Sequence, residues 1–423
     1  MEYKKYIRLQ NILLLASIYC IVLLLVYKVQ LSGDSQSYIS AWEVFRSGRI
    51  DMWRTPVYPF FLGLLKMIFG DAHYLLVAVI IQHIMFLISI WYFYLLLKEI
   101  VNNEILSFVL TAFYAFYPCV QTYNCFVQTE TFAVVGTIFF LYSTLMFYKN
   151  LNLIYGLCSF GWLFFLVFLR PSSIYLIPIL FLFWLLVFIK RKFKPILFLW
   201  LGLGGSVVAG MTLLFYVVSF KKNYDLFTPS GIGIINKYCI ARQACIIEPL
   251  VSCDEYRDRD FKGCVFDHNV STMPEVFYES ECAINEFGLK RFSDNVSNAI
   301  SQNKYLYIKR LFVNVKRSSS DRLLGTAFPA SKLLDIVTIN LSFIYLLFFV
   351  YVVMLVKWMK QKEIACFSSL ICTIVISHMA VIFFASPSNY SRLVLPVYPL
   401  FLIMIGQIFS LIKVSKSSDV ELL

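Results

Sequence analysis

The 423-residue chain is too apolar for a soluble globular protein. Hydrophobic residues make up 60% of it and charged residues 15%, whereas charged residues alone make up about a quarter of an average soluble domain. A mean hydropathy of +0.74 is typical of a polytopic membrane protein. The net charge of +12 does not indicate nucleic-acid binding, because the basic residues form short clusters between apolar runs.

Ten apolar runs have about the length that crosses a bilayer. The first is too long for a secretory hydrophobic region and no small-residue cleavage site follows it, so we expect it to remain as a signal anchor. A shorter run, Pro56–Phe69, has two prolines near its start and is predicted to be re-entrant or interfacial. The ten predicted spans are Asn11–Val29, Tyr74–Leu97, Ile105–Val120, Phe126–Tyr148, Leu151–Leu169, Ile174–Ile189, Pro195–Phe220, Leu333–Val356, Ile364–Ala385 and Leu393–Ile412.

The basic clusters orient these spans. With the N-terminus cytoplasmic, every predicted cytoplasmic loop carries basic residues, including KRKFK (190–194) and KWMKQK (357–362). Counting Pro56–Phe69 as a span would place KRKFK outside. Both termini are therefore predicted to be cytoplasmic, and the polar segments collect on the exoplasmic side: 30–73, 117–130, 170–173, 221–332 and 386–392.

The chain divides into three predicted regions. An N-terminal transmembrane module (1–220) contains the first exoplasmic loop (30–73), an exoplasmic domain spans 221–332, and a C-terminal transmembrane module spans 333–423. We expect the cysteines of the exoplasmic domain to form at least one disulfide and not to remain reduced, buried thiols, because its compartment is oxidising. A zinc site is disfavoured because the domain has no CxxC spacing. The cysteines of this domain are Cys239, Cys245, Cys253, Cys264 and Cys282.

Asp34 follows the first span directly and has two interpretations. It could cap a short helix whose apolar face (Ile39, Trp42, Phe45) lies on the membrane surface. Alternatively, it forms a polar site together with Arg54 at the bilayer edge, where the headgroup of an amphiphilic substrate would be bound.

The patterns D-x-x-x-Y (34–38) and R-x-P-x-Y-P (54–59) follow the first span in this order. In this the chain resembles the polyprenyl-phosphate-sugar-dependent glycosyltransferases of the GT-C fold, and most closely the family 39-like group of protein O-mannosyltransferases and the lipid A aminoarabinose transferase. The resemblance continues through YP (117–118), TE (129–130), LRPS (169–172) and SRLVLPVYPLFLIMIG (391–406). Family members often carry an acidic pair in the first loop, where this chain has Asp34 followed by Ser35.

The resemblance implies an all-α polytopic membrane protein. Its fold would be a GT-C-like helical bundle of about ten spans, with interfacial helices in the first exoplasmic loop and a small exoplasmic domain between two spans. Its activity would be the transfer of a sugar from a polyprenyl-phosphate donor to an acceptor hydroxyl. The implied partners are that donor, a protein, lipid or glycan acceptor, and membrane lipids. The location would be the plasma membrane, inner membrane or endoplasmic reticulum.

The chemistry of such a transfer needs one base, because a phosphate leaves without protonation; glycoside hydrolysis needs two carboxylates. Asp34 is the predicted base, and direct displacement would invert the anomeric centre. Tyr38 and Tyr58 are candidate sugar-facing groups. Glu130 would position the phosphate through a divalent cation or orient an arginine, or it would only complement a helix dipole. No metal site is predicted from histidine spacing, and a divalent cation is left open.

Four basic residues are candidates for binding the departing phosphate. Each also has a simpler interpretation, because a lysine near a span end can extend its amine to the surface and a solvated arginine is common there. The candidates are Lys28, Arg54, Arg170 and Arg392.

Two other functions are compatible with a polytopic protein. A flippase or transporter of lipid-linked saccharides would need polar residues through the midplane, but the predicted spans are nearly free of ionisable groups. A non-catalytic scaffold that binds a partner through 221–332 would leave the polar first loop unexplained. The sequence therefore favours the glycosyltransferase.

Overall fold

The structure is a computed structural model that describes residues 3–101, 103–191, 196–247, 273–318, 348–352, 364–386 and 390–420. These residues form an all-α protein without strands, as predicted. Two 3₁₀ turns, Pro171–Ser173 and Leu395–Val397, precede the helices that begin at Leu176 and Tyr398. The helices are α1 (Tyr3–Tyr27), α2 (Gly33–Arg46), α3 (Val57–Val101), α4 (Glu104–Phe116), α5 (Pro118–Tyr123), α6 (Glu130–Asn150), α7 (Leu153–Leu169), α8 (Leu176–Arg191), α9 (Ile196–Tyr224), α10 (Ile232–Gln243), α11 (Met273–Phe287), α12 (Leu289–Gln302), α13 (Lys304–Ser318), α14 (Ile364–Ala385), α15 (Tyr390–Val394) and α16 (Tyr398–Val420).

The described helices confirm a polytopic membrane protein. Six are long and apolar enough to cross a membrane, and three shorter apolar helices accompany them. All of them coincide with predicted spans. The remaining predicted span, Leu333–Val356, lies outside the described residues except for 348–352, which are helical. The count of ten spans therefore stays a prediction.

Helix α6 lies at the centre of the bundle. It carries apolar side chains on all faces, and nearly all of them are buried, as expected for a helix that other helices surround. Helices α3 and α7 pack along it. Its first residue, Glu130, is therefore held inside the bundle at one end.

The run Pro56–Phe69 forms a separate arm at the start of α3. Gly70 interrupts the helix with φ 71° and ψ 172°, a conformation that essentially only glycine adopts. The arm exposes the apolar side chains of Phe60, Leu64 and Met67. The kink at Gly70 separates Pro56–Phe69 from the following span, in agreement with the prediction. The re-entrant or interfacial placement of Pro56–Phe69 stays a prediction.

Helix α2 packs on this arm. Tyr38, Ala41 and Trp42 are buried, and the Trp42 ring lies directly over Gly63. The expectation that Trp42 lies on the membrane surface is therefore wrong. Because Gly63 has no side chain, the indole can approach the arm and fix the position of α2.

We expect Gly63→Ala to destabilise the protein by about 1–3 kcal/mol, the usual cost of overpacking a core. A Cβ at this position would lie 2.0 Å from a ring atom of Trp42, so α2 would have to move. Thermal unfolding in detergent measures the effect. Gly161→Ala is the matched control, since a Cβ there meets nothing within 4 Å; equal melting temperatures for both variants would contradict this account.

The described part of the 221–332 segment is helical, and its division into a separate domain stays a prediction. Its core gathers apolar side chains of α10, α11 and α12 around Tyr238 and Phe292. Cys245 and Cys282 are disulfide-bonded, which confirms the redox prediction, whereas Cys239 is free and buried. The other two cysteines of the domain lie outside the described residues.

The corner between α9 and α10 holds the first loop in place. The Tyr224 hydroxyl donates to the Ile50 carbonyl at 2.6 Å, and the Ser230 hydroxyl donates to the Trp53 carbonyl at 2.7 Å. These two hydrogen bonds thus fix the backbone of the loop that carries Arg54.

Candidate functional site

Asp34 is the second residue of α2, and its carboxylate does not cap that helix. Ser32 is the N-cap: its hydroxyl accepts from the Asp34 N–H at 3.3 Å. Its own N–H donates to the Ser35 hydroxyl at 2.9 Å, which completes a capping box. The Gln128 amide also donates to the Ser32 hydroxyl. The capping interpretation of Asp34 is therefore wrong, and its carboxylate is available for other contacts.

Two arginines from distant parts of the chain hold this carboxylate. Arg54 Nη2 lies 2.6 Å from Asp34 Oδ1, and Arg392 Nη1 lies 2.7 Å from Asp34 Oδ2. Both oxygens are thus engaged in charge-assisted contacts. The Asp34 side chain nevertheless remains 30% exposed, so that it is accessible from outside the cluster.

Local contacts fix Arg54. Its backbone N–H donates to Asp51 Oδ1 at 2.7 Å, and its Nε donates to the Ser37 hydroxyl at 2.7 Å. The guanidinium stacks over the Tyr38 ring, 4.1 Å from the ring centroid, a favourable cation–π contact. Arg54 is therefore anchored independently of Asp34.

Glu130 joins the other two arginines. Its Oε1 lies 3.2 Å from Arg392 Nε and 3.5 Å from Arg170 Nη2. The Glu130 side chain is only 3% exposed. Asp34, Glu130, Arg54, Arg170 and Arg392 thus form one continuous network, which we call the ion-pair cluster.

The ion-pair cluster carries one surplus positive charge, since its two carboxylates face three guanidinium groups. Arg170 Nη1 is buried and has no hydrogen-bond partner among the described residues. A buried donor without a partner is costly. The cluster is therefore suited to accept one further anionic group.

The corners that carry Arg170 and Arg392 are linked through His378. The Tyr175 hydroxyl lies 2.8 Å from His378 Nδ1, and His378 Nε2 lies 2.9 Å from the Leu393 carbonyl. His378 is buried. It fixes the relative position of two corners that are far apart in sequence.

Electrostatics favours the charged form of Asp34. Burial raises the pKa of Asp34, but Arg392 and Arg54 lower it by more, so the pKa lies well below its usual range. For Arg54, burial lowers the pKa while Tyr38 and Asp34 raise it by more. Asp34 and Arg54 are thus both charged at neutral pH.

Three further predicted residues have different surroundings. The Tyr38 ring stacks against the Arg54 guanidinium. The Tyr38 hydroxyl lies 3.4 Å from the Thr129 hydroxyl. Tyr58 is fully buried and donates to Gln82 Oε1 at 2.8 Å, so the expectation that it faces a sugar is wrong. Lys28 follows the end of α1 in a left-handed conformation and forms no ion pair with the described residues of the cluster.

The sequence-based prediction missed the residues that support the arginines. Asp51 accepts from the N–H groups of Trp53 and Arg54, a local turn that an aspartate three residues before an arginine could have indicated. Ser37 and Tyr175 gave no such signal, because their contacts depend on how α2 and the Arg170 corner are packed.

Arginines pair with both carboxylates of the described site. Arg392 bridges Asp34 and Glu130, and Arg54 and Arg170 each pair with one of these two carboxylates as well. The described residues contain no group of three or more side chains of the types that hold a metal ion.

No family model and no curated protein matches the sequence. Among solved structures, the chain is similar to the archaeal oligosaccharyltransferase AglB from Archaeoglobus fulgidus in complex with an inhibitory peptide and a dolichol-phosphate. The TM-score is 0.51 at 13% identity, covering 96% of this chain and 50% of that chain. The apo form of the Archaeoglobus fulgidus oligosaccharyltransferase gives a TM-score of 0.51 at 13% identity, with 97% and 52% covered. The chain has a GT-C-like fold.

This GT-C-like chain spans about half the length of these oligosaccharyltransferase structures. The likeness confirms the fold that the motifs predicted. Membership of the family 39-like group stays a prediction.

Proposed function

We propose that the protein is an integral membrane glycosyltransferase that takes a sugar from a polyprenyl-phosphate donor and transfers it to an acceptor hydroxyl. The observation that carries this proposal is the ion-pair cluster at one end of a GT-C-like bundle, with three arginines around two carboxylates, of which Asp34 is accessible. A phosphodiester carries one negative charge, which matches the surplus positive charge of the cluster. The oligosaccharyltransferase with the same fold was solved with dolichol-phosphate, which supports a lipid-phosphate ligand here.

In the proposed reaction, the acceptor oxygen attacks the anomeric carbon as the bond from that carbon to the phosphate oxygen breaks. Asp34 takes the proton of the acceptor hydroxyl, and polyprenyl phosphate leaves with the electron pair of the broken bond. Arg54, Arg170 and Arg392 stabilise the charge that develops on this phosphate. Attack from the face opposite the leaving group inverts the anomeric centre.

Asp34 is a better candidate for the base than Glu130. Its side chain is 30% exposed, whereas that of Glu130 is 3% exposed and lies behind two arginines. An acceptor can therefore reach Asp34 directly. Glu130 is suited to holding Arg170 and Arg392 in position.

We place the site on the exoplasmic side. The disulfide-bonded Cys245 and Cys282 belong to the segment that packs against the first loop. Disulfides persist in oxidising compartments. Together with the distribution of basic residues, they support an exoplasmic location for the ion-pair cluster.

A donor-consumption assay separates this function from transport. The purified protein in liposomes receives a panel of polyprenyl-phosphate hexoses and pentoses with membrane extract as the source of acceptor, and free polyprenyl phosphate is quantified by mass spectrometry. A transferase releases polyprenyl phosphate from at least one donor. Movement of intact donor across the bilayer without release would instead establish a flippase.

A further inference from the structure

We propose that the donor phosphate displaces Asp34 from Arg54 and Arg392, so that binding of the donor is what frees the base for the acceptor. This inference rests on the proposed function and extends it to the order of events. It starts from a conflict in the structure: the guanidinium groups that would bind the phosphate are the ones that hold the carboxylate. The two anions compete for the same N–H donors.

Arg54 and Arg392 have contacts other than Asp34, whereas among the described residues the Asp34 carboxylate pairs only with these two arginines. Arg54 keeps its contacts to Ser37 and the Tyr38 ring when Asp34 leaves, and Arg392 keeps Glu130. The Ser32–Ser35 capping box holds the start of α2 without the Asp34 carboxylate. Rotation of one short side chain is therefore enough for the exchange.

The exchange also explains how Asp34 can act as a base. While it lies between two guanidinium groups, its pKa is too low for efficient proton transfer. Once a phosphate occupies the arginines, Asp34 loses two cationic partners and gains an anionic neighbour, and both changes raise its pKa. The base would therefore become competent only in the presence of the donor.

Binding of polyprenyl phosphate, the leaving group, tests this competition. Affinity is measured by microscale thermophoresis in nanodiscs for the wild type and for Asp34→Asn. If the carboxylate competes with the phosphate, the variant binds at least fivefold more tightly than the wild type. Equal or weaker binding by the variant overturns the proposal.

Two matched variants exclude a general effect of charge. Glu43→Gln removes an exposed carboxylate from the same helix, and its affinity should match that of the wild type. Glu130→Gln removes a carboxylate from the same cluster, but one that anchors Arg392 and Arg170, so its affinity should not increase. An increase as large as that of Asp34→Asn would show simple electrostatics and would also overturn the proposal.

Failure of the proposed function gives a different result. If neither the wild type nor Asp34→Asn binds polyprenyl phosphate, or if Arg54→Ala binds it as well as the wild type, the cluster is not a phosphate site. Thermal unfolding of each variant identifies any that is misfolded. The comparison of Asp34→Asn with the wild type then decides the inference by itself.

Discussion

Replacing Asp34 with asparagine is expected to reduce sugar transfer by about 10²–10⁴-fold, the usual contribution of a general base. Asparagine keeps the size of the side chain and an oxygen that can accept from Arg54, but it cannot take the acceptor proton. Because Ser32 and Ser35 cap α2, the helix does not depend on this carboxylate. The variant should therefore be expressed and folded normally, and the loss should appear as a lower kcat in the donor-consumption assay.

Glu43→Gln is the matched control for this variant. Glu43 lies on the same helix, is 52% exposed and pairs with Lys66 at 3.3 Å. An exposed pair of this kind contributes only about 0.2–1 kcal/mol to stability, and Glu43 takes no part in the proposed reaction, so activity should stay close to that of the wild type. If Asp34→Asn turns over donor as fast as Glu43→Gln, Asp34 is not the base, and Glu130 is the next candidate.

The second large effect is expected at Arg392. Among the described residues it alone contacts both carboxylates of the cluster. Arg392→Ala removes the central cation, so we expect donor affinity to fall at least tenfold and transfer at least 10²-fold, within the range expected when charged binding groups are removed. Arg392→Lys should recover only part of both, because an ammonium lacks the planar fork that binds a phosphate through two N–H groups.

Folding of the arginine variants must be measured too, since removing Arg392 leaves each carboxylate of a partly buried network with one cation fewer. Thermal unfolding in detergent measures it. Arg46→Ala is the matched control: Arg46 is 67% exposed and lies 3.9 Å from Glu43. Full transfer activity in Arg392→Ala, with Arg46→Ala unchanged as well, would identify Arg392 as an ordinary arginine at the end of a span.

The sequence was informative where physical chemistry leaves few choices. The apolar runs predicted most of the helices, since a bilayer demands about twenty apolar residues per span. The order of motifs at the ends of these runs predicted which charged residues come together. Asp34, Glu130, Arg54, Arg170 and Arg392 were all candidates, and they form one network in the structure.

The predictions that were wrong concern side chains whose surroundings depend on how the helices pack. The burial of Trp42 follows from Gly63, which allows α2 to approach the arm of α3. Tyr58 lies in the core because its hydroxyl can donate a hydrogen bond there to Gln82, which is 24 positions further along the chain. Asp34 was also a candidate for the helix cap, because serine and aspartate are about equally favourable at the N-cap position. In the structure, the N-cap is Ser32.

The central claim is that the ion-pair cluster binds the phosphate of a lipid-linked sugar. Cryo-electron microscopy of the protein in nanodiscs containing polyprenyl phosphate tests this most directly. The account predicts density for the phosphate within hydrogen-bond distance of Arg54 and Arg392, with the Asp34 carboxylate rotated away from both. Density for the lipid phosphate at another place, with Asp34 still bridging the two arginines, would contradict it.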